Sequence, residues 1–278
     1  MISYKAPVII FIANLFFTVS FSLVTYLSNV VPTETIMLFR FLAGPAFLIP
    51  YFLSLKKKLV IHSYRLFALR IFFGISAMSC LFLSFKYGQI GKSMLIFECS
   101  ALWTLLLSYF IYKHKPHVYS LLCVPFVFLG LFLVIQPTET TSINLGDLFA
   151  LLGSFLNTGV YLSLKALRHH HDTPTIVLIT YFFSALIVSI PSFIAPPIIT
   201  LELFGLLCLM CSVGFVGQLL MTQGFKYASA GICSLLMLGI VPLTSISGFL
   251  FFNEYYDATI WSGIILIFVC LGIISRWQ

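Results

Sequence analysis

Ten long apolar runs, separated by short polar breaks, constrain this sequence more than any other feature. A helix needs about 20 apolar residues to cross about 30 Å of hydrocarbon, and a backbone in lipid must satisfy its hydrogen bonds internally. Only 8% of the residues are charged, against about 25% in soluble domains. The sequence therefore predicts an all-α polytopic membrane protein with ten transmembrane helices at residues 7–27, 33–53, 66–86, 91–111, 118–136, 146–165, 174–194, 202–224, 230–251 and 258–276.

The two halves of the chain resemble each other. The stretch Phe85–Leu95 returns 140 positions later as Phe225–Leu235, and the same shift aligns most of the first half with the second. Self-similarity at half the chain length indicates two copies of one folding unit, predicted here as residues 1–138 and 139–278. Each copy holds five spans, so the second copy starts from the opposite side of the membrane. The prediction is therefore a 5+5 inverted repeat, an arrangement common among secondary transporters.

Lysines and arginines are distributed unevenly between the predicted breaks, and cytoplasmic loops normally carry the excess. With the N-terminus inside, twelve cations lie inside: Lys5, Lys56, Lys57, Lys58, Arg65, Arg70, Lys113, Lys115, Lys165, Arg168, Lys226 and Arg276. Only Lys86 and Lys92 then lie outside. The first run lacks a small-residue cleavage pattern, so it is predicted to be a retained span and not a signal peptide. We expect a bacterial inner-membrane protein with both termini in the cytoplasm.

Several features that would suggest other functions have simpler explanations. The net charge of +7 follows from the loop cations, so no nucleic-acid partner is expected. All seven cysteines fall inside predicted spans, which argues against a disulfide framework. The pair Cys208 and Cys211 lacks the second ligand pair of a metal site, and packing is its expected role. The tract His169-His170-His171 is predicted to be a solvated loop, with metal binding as the alternative. No cofactor or resident metal is expected.

A set of motifs is shared with a known family: Leu38-Phe39-Arg40-Phe41-Leu42 in the second span, Ala228-x-x-Gly231-x-x-Ser234, Pro242 in the ninth span, Glu254 after it, and Gly263 and Gly272 in the tenth. Together with the repeat, these motifs resemble the ten-helix EamA-type members of the drug/metabolite transporter superfamily over nearly the whole chain. The resemblance implies a secondary transporter whose central cavity lies between the two repeats.

The chain also departs from the family pattern. Leu102 stands at the counterpart of the ninth-span proline, and His114 stands at the counterpart of Glu254. Asn253 replaces the glycine that usually precedes that glutamate. The stretch Leu38–Pro50 further resembles S-adenosylmethionine transporters of intracellular bacteria, a likeness carried by one helix. These departures affect the expected mechanism more than the expected fold.

Arg40 and Glu98 are predicted to be the only charges well inside the spans. Each costs about 2.5 to 3.5 kcal/mol at a helix centre on insertion scales, so each should face the bundle interior and have a partner. Both lie about 10 Å from the outer start of their spans, at 1.5 Å per residue. We therefore predict that they pair near the outer end of the cavity and contact substrate. A purely packing ion pair or a snorkelling arginine is the alternative.

Polar side chains in the spans that the resemblance places around the cavity are further substrate-binding candidates: Asn14, Thr18, Asn157, Tyr161 and Gln218. Asn14 and Thr18 share a helix face, as do Asn157 and Tyr161. Interhelical hydrogen bonds of about 0.6 kcal/mol each would explain these residues without a substrate. Trp103 is the last candidate because it can stack on a ring or a cation, with packing as the alternative.

The predicted function is secondary transport of a small polar metabolite by alternating access. An amino acid, a nucleoside and an S-adenosylmethionine-like compound are the candidate substrates, and a proton is the candidate coupling ion. The expected partners are thus a small molecule and the lipid bilayer. The alternative is an integral-membrane enzyme or a channel, but the sequence contains no nucleotide motif or phosphate-binding glycine loop and no filter segment.

Overall fold

The computed structural model describes residues 5–56, 59, 61–112, 118–135, 144–194, 199–255 and 257–276, and this part of the chain contains helices and no strands. The helices are α1 (Lys5–Leu27), α2 (Thr33–Ser54), α3 (Tyr64–Tyr87), α4 (Ile90–Glu98), α5 (Ser100–Tyr112), α6 (Val118–Ile135), α7 (Leu145–Arg168), α8 (Thr173–Ile194), α9 (Leu201–Gly224), α10 (Ala230–Met237), α11 (Ile240–Phe251) and α12 (Ala258–Arg276). They coincide with the predicted spans, except that the fourth and ninth spans are each divided into two helices.

Apolar side chains face outward over the bundle. Phe110 is 72% exposed, Phe193 is 75% exposed and Leu201 is 87% exposed. An apolar surface of this extent marks contact with a membrane or a partner. Among the described residues, eight stretches are long and apolar enough to cross a membrane, with α4–α5 and α10–α11 each counted as one. The chain is therefore built as a multi-pass membrane protein.

Close contacts between long helices organise the bundle. Helix α1 packs along α9, α3 along α7, α2 along α8 and α6 along α12. The α2–α8 contact depends on a glycine, because a Cβ added at Gly44 would lie 2.4 Å from the Cβ of Tyr181. Small residues permit this close approach of helices in membranes, where packing and not water exclusion drives association.

Two spans are interrupted inside the bundle, between α4 and α5 and between α10 and α11. Irregular backbone at membrane depth is tolerated where the protein buries it. Side chains from neighbouring helices bind both interruptions. The Nδ2 of Asn14 donates to the carbonyl of Leu236 at 3.0 Å, and the Oγ1 of Thr158 donates to the carbonyl of Ser100 at 3.3 Å.

The turn before α12 joins the two halves of the chain. Glu254 accepts hydrogen bonds from the backbone N–H groups of Ile90 at 2.8 Å and Gly91 at 3.4 Å. A carboxylate is favoured at this position because the helix dipole is positive at the N-terminus of α4. Asn253 has a φ of 53°, in the left-handed region that glycine prefers and asparagine tolerates. This explains how asparagine can replace the glycine usual in the family.

Polar contacts join breaks that the predicted topology places on the same face. Lys92 and Asp147, both predicted to lie outside, form an ion pair of 2.8 Å. Lys165, predicted to lie inside, donates to the carbonyls of Phe225 and Ala228 at 2.9 and 2.6 Å. Some predictions fall outside the described residues, namely those on Lys57, Lys58, Lys113, His114, Lys115 and the segments 136–143 and 195–198.

The histidine tract is not wholly solvated, which corrects the prediction. His171 is 8% exposed, its Nε2 accepts from the backbone N–H of His62 at 3.0 Å, and its ring lies 4.9 Å from that of Phe67. Burial lowers the pKa of the His171 side chain. The tract therefore connects the α7–α8 turn to the α2–α3 loop. Within the described part of the chain, no group of three or more His, Cys, Asp or Glu side chains could hold a metal ion.

Candidate functional site

A central cavity lies between helices from both halves of the chain. It comprises about 700 Å³ of space not filled by protein atoms, part of it open to the outside, and helices α1 to α4 and α7 to α11 form its wall. Phenylalanine and methionine side chains make up much of that wall. The polar side chains are Arg40, Arg70, Glu98, Asn157, Tyr161, Thr180, Tyr181, Ser184 and Gln218. An apolar wall with a few placed polar groups is the usual composition of a small-molecule site.

Arg40 is held in the cavity wall by its surroundings on α1 and α9. It is 1% exposed, and its Nη1 donates to the Oγ of Ser20 at 2.9 Å. Its Cζ lies 5.5 Å and 5.6 Å from the ring centroids of Phe17 and Phe21, within the range of cation–π attraction. A Cβ at Gly214 would lie 1.7 Å from Nη1, so the guanidinium occupies space that only glycine leaves open.

Arg70 is a further buried charge on the cavity wall, which corrects the prediction that Arg40 and Glu98 are the only charges deep in the spans. It is 7% exposed and its Nε has no acceptor among the described residues. Because α3 begins at Tyr64, Arg70 lies about 9 Å along the helix. The sequence predicted that Arg70 lies at the cytoplasmic edge. The distance of Arg70 from the start of α3 is nevertheless similar to the distance of Arg40 from the start of α2.

Glu98 ends α4 at the wall of the cavity, where it is 2% exposed. The hydroxyl of Tyr161 lies 3.1 Å from each carboxylate oxygen and donates to the carboxylate. One turn away on α7, the Nδ2 of Asn157 donates to the Oγ of Ser100 at 3.0 Å. The predicted polar face of α7 therefore lies against the interruption between α4 and α5, beside Glu98.

Arg40 and Glu98 line the same cavity but do not form the direct ion pair that the sequence suggested. Glu98 is hydrogen-bonded to Tyr161, and Arg40 to Ser20. The remaining nitrogens of Arg40, Nε and Nη2, have no acceptor among the described residues. Helix α2 packs on α8 and α9, whereas α4 packs on α7 and α11. The two helices thus bring their charges to different parts of the wall.

Three other candidates lie outside the cavity wall. Asn14 is fully buried and donates to a carbonyl of α10, while the Oγ1 of Thr18 donates to the carbonyl of Asn14 at 2.8 Å. The bond of Asn14 is interhelical, as the alternative to a substrate role predicts, whereas the bond of Thr18 lies within α1. Trp103 is 40% exposed, and its ring lies 4.9 Å from that of Phe155. It is not among the residues that line the cavity.

The last candidate and a missed residue lie on α9 and α8. Gln218 lines the cavity, and its Nε2 is 3.3 Å from the Oγ1 of Thr222. Tyr181 also lines the cavity, packs edge-on against Phe41, and has a buried hydroxyl without a partner among the described residues. With 13 tyrosines and 30 phenylalanines in the chain, composition does not distinguish this tyrosine from those that only pack.

A multi-pass helical bundle with charged side chains around an internal cavity has the structure expected of a membrane transporter. A family model described as "EamA-like transporter family" matches the chain twice, over residues 5–136 and 144–276. The chain belongs to the EamA-like transporter family and is a membrane transporter, not an enzyme. This confirms the resemblance drawn from the motifs.

The chain is also similar to named proteins. It is 26% identical over 272 residues to "Pseudopaline exporter CntI" of Pseudomonas aeruginosa (strain UCBPP-PA14), covering 94% of this chain and 93% of the relative. The protein of the same name from Pseudomonas aeruginosa strain PAO1 gives the same values. A solved crystal structure superposes with a TM-score of 0.78 at 13% identity, covering 96% of this chain and 95% of the other. At that identity the superposition shows the fold alone.

Proposed function

We propose that this protein is a secondary transporter that moves a small polar metabolite by alternating access through the central cavity. The observation that carries the proposal is the placement of Arg40, Arg70 and Glu98 on the wall of one buried cavity. Charged side chains within a membrane are costly, and they mark substrate or ion pathways. A bundle that only had to pack would gain nothing from three such groups around unfilled space.

We further propose ten spans arranged as inverted repeats of residues 1–138 and 139–278. The two matches of the family model support this division. The helix contacts support it as well, because the 140-residue shift relates α1 to α7 and α3 to α9, so the α1–α9 and α3–α7 contacts are counterparts. The two helix interruptions also correspond, since Cys99 and Gly239 are 140 positions apart.

The charged groups break the symmetry of the repeat. Under the shift, Arg40 corresponds to Thr180, Arg70 to Met210 and Glu98 to Leu238; none of the three charges is duplicated. A symmetric frame can exchange conformations between its halves, while an asymmetric lining can bind an asymmetric molecule. We therefore propose a metabolite such as an amino acid, a nucleoside or an S-adenosylmethionine-like compound as substrate, with a proton as the coupling ion.

The similar proteins from Pseudomonas aeruginosa are named as exporters. Export is accordingly the direction that we propose, across a bacterial inner membrane with both termini in the cytoplasm. The cation asymmetry of the predicted breaks supports this orientation.

Counterflow in proteoliposomes tests the proposal. Vesicles are loaded with a mixture of unlabelled amino acids, nucleosides and S-adenosylmethionine, and labelled forms are added outside one at a time. A carrier exchanges label for the loaded compound and saturates, whereas a channel shows neither exchange-driven accumulation nor saturation. Absence of counterflow for all three classes would contradict the proposed function. Mass spectrometry of the recovered compounds checks that none has been chemically altered.

A further inference from the structure

Among the described residues, one edge of the Arg40 guanidinium has no hydrogen-bond acceptor. Its Nη1 donates a hydrogen bond to Ser20, and its Cζ lies over the rings of Phe17 and Phe21. The nitrogens left over are Nε and Nη2, both buried and both without an acceptor among the described residues. These two nitrogens share the side edge of the guanidinium, and their N–H bonds point in parallel. A carboxylate accepts two parallel hydrogen bonds from such an edge.

The cavity also carries a surplus of positive charge. Among the residues that line the cavity, Arg40 and Arg70 are the basic side chains and Glu98 is the acidic one. A buried charge without compensation is strongly destabilising. An anionic group on the ligand would provide the missing negative charge.

A second arginine lines the same cavity. Arg70 and Tyr181 both belong to its wall, together with Arg40. The buried Nε of Arg70 also lacks an acceptor among the described residues. Three unsatisfied donors, on Arg40 and Arg70, and the unpaired hydroxyl of Tyr181 therefore occur around one space, with a single carboxylate among the cavity side chains.

We infer that the transported metabolite carries a carboxylate, which Arg40 binds through its Nε and Nη2 edge and which Arg70 attracts as the second cation. This inference rests on the proposed transport function and narrows its substrate. It favours amino acids and other organic acids over nucleosides, which have no anionic group. Phosphate monoesters are the competing anions in the test, because a guanidinium edge also binds phosphate.

Ligand binding to the purified full-length protein tests the inference. Thermal shift and calorimetry would compare four sets of probes: L-amino acids and organic acids, their matching carboxamides, nucleosides, and phosphate monoesters. At least one carboxylate is expected to bind, with its carboxamide weaker by about tenfold or more, since hydrogen bonds to charged groups contribute about 1.5 to 3 kcal/mol. Equal binding of acid and carboxamide, binding of phosphate monoesters alone, or no binding by any carboxylate would overturn the inference.

Charge-conserving variants separate recognition from folding. Arg40→Lys and Arg70→Lys keep the positive charge but remove the planar guanidinium edge, so bidentate binding is lost. Arg65→Lys is the matched control, because Arg65 lies on the same helix as Arg70 and is exposed. The Arg40 variant is expected to lose about tenfold or more in affinity for the carboxylate, and the Arg65 variant none. An Arg40 variant that folds and keeps full affinity would contradict the assigned contact.

The outcome for the inference is independent of the outcome for transport. If a nucleoside shows saturable counterflow that Arg40→Lys does not change, the proposed transport function stands. The inference that the substrate carries a carboxylate is then wrong. Carboxylate binding without counterflow would support the carboxylate site at Arg40 and contradict carrier activity.

Discussion

At the scale of single residues, the position of Arg40 depends on the absence of a side chain on the facing helix. A methyl group on Gly214 would lie 1.7 Å from Nη1, 2.8 Å from Cζ of Arg40 and 2.6 Å from the Oγ of Ser20. The first two atoms belong to the end of a flexible side chain, which can move at lower cost than backbone. An added methyl group would therefore displace the guanidinium and leave the helix backbone in place.

Gly214→Ala is accordingly expected to impair substrate binding more than folding. The displaced guanidinium loses its hydrogen bond to Ser20, and we expect affinity or transport to fall by about tenfold, for a net cost of about 1.5 kcal/mol. Gly205→Ala is the control, because the same helix offers nothing within 4 Å of a Cβ at that position. Counterflow rate and melting temperature are measured for both variants. A Gly214 variant that transports like the wild type would contradict the placement of Arg40.

At the scale of structural elements, His171 joins two connections that are distant in sequence. Its Nε2 accepts a hydrogen bond from His62 in the α2–α3 loop, and its Nδ1 is 3.3 Å from the carbonyl of Leu167 at the end of α7. A neutral ring with the proton on Nδ1 satisfies both contacts. A proton on Nε2 would remove the acceptor that the His62 N–H requires, so the contact between the loops favours the neutral ring.

This contact predicts a pH dependence of stability. Burial lowers the His171 pKa from its ordinary value of 6.5. A depressed pKa in the folded state means that the stabilisation is present above pH 6.5 and is lost as the pH falls through the lower folded-state value. The melting temperature of the wild type should therefore fall between pH 8 and pH 5.

Two neighbouring histidines provide a matched comparison. His171→Asn should lower stability at pH 8 by about 1 kcal/mol and flatten the decline toward pH 5. His170→Gln should keep the wild-type slope, because His170 is exposed. Thermal unfolding in detergent across this pH range measures the effect. Parallel curves for the wild type and the His171 variant would show that another group titrates.

The sequence predicted the helix positions well because the distribution of apolar residues alone sets where a chain can lie in lipid. It predicted the depth of individual charges less well. Arg70 was assigned to a membrane edge because the start of α3 was placed two residues late, at position 66 instead of Tyr64. Trp103 was a candidate because its ring can stack on a ligand, but residue type alone does not show which way a side chain faces, and Trp103 is 40% exposed. Contacts such as that of Arg40 with Ser20 need coordinates, since no sequence spacing links α2 to α1.

At the scale of the whole molecule, the asymmetry of the breaks predicts one orientation in the membrane. Excess lysine and arginine remains in the cytoplasm, so the α7–α8 turn should lie inside and the start of α9 outside. His170 and Glu202 represent these two faces, and both are exposed.

The native cysteines are buried or half-buried, which keeps background labelling of intact cells low. His170→Cys should react with a membrane-impermeant maleimide only after the cells are permeabilised, whereas Glu202→Cys should react in intact cells. The reverse pattern would invert the orientation, and labelling of both positions from outside would contradict the proposed number of crossings, because an odd number of spans must separate opposite faces.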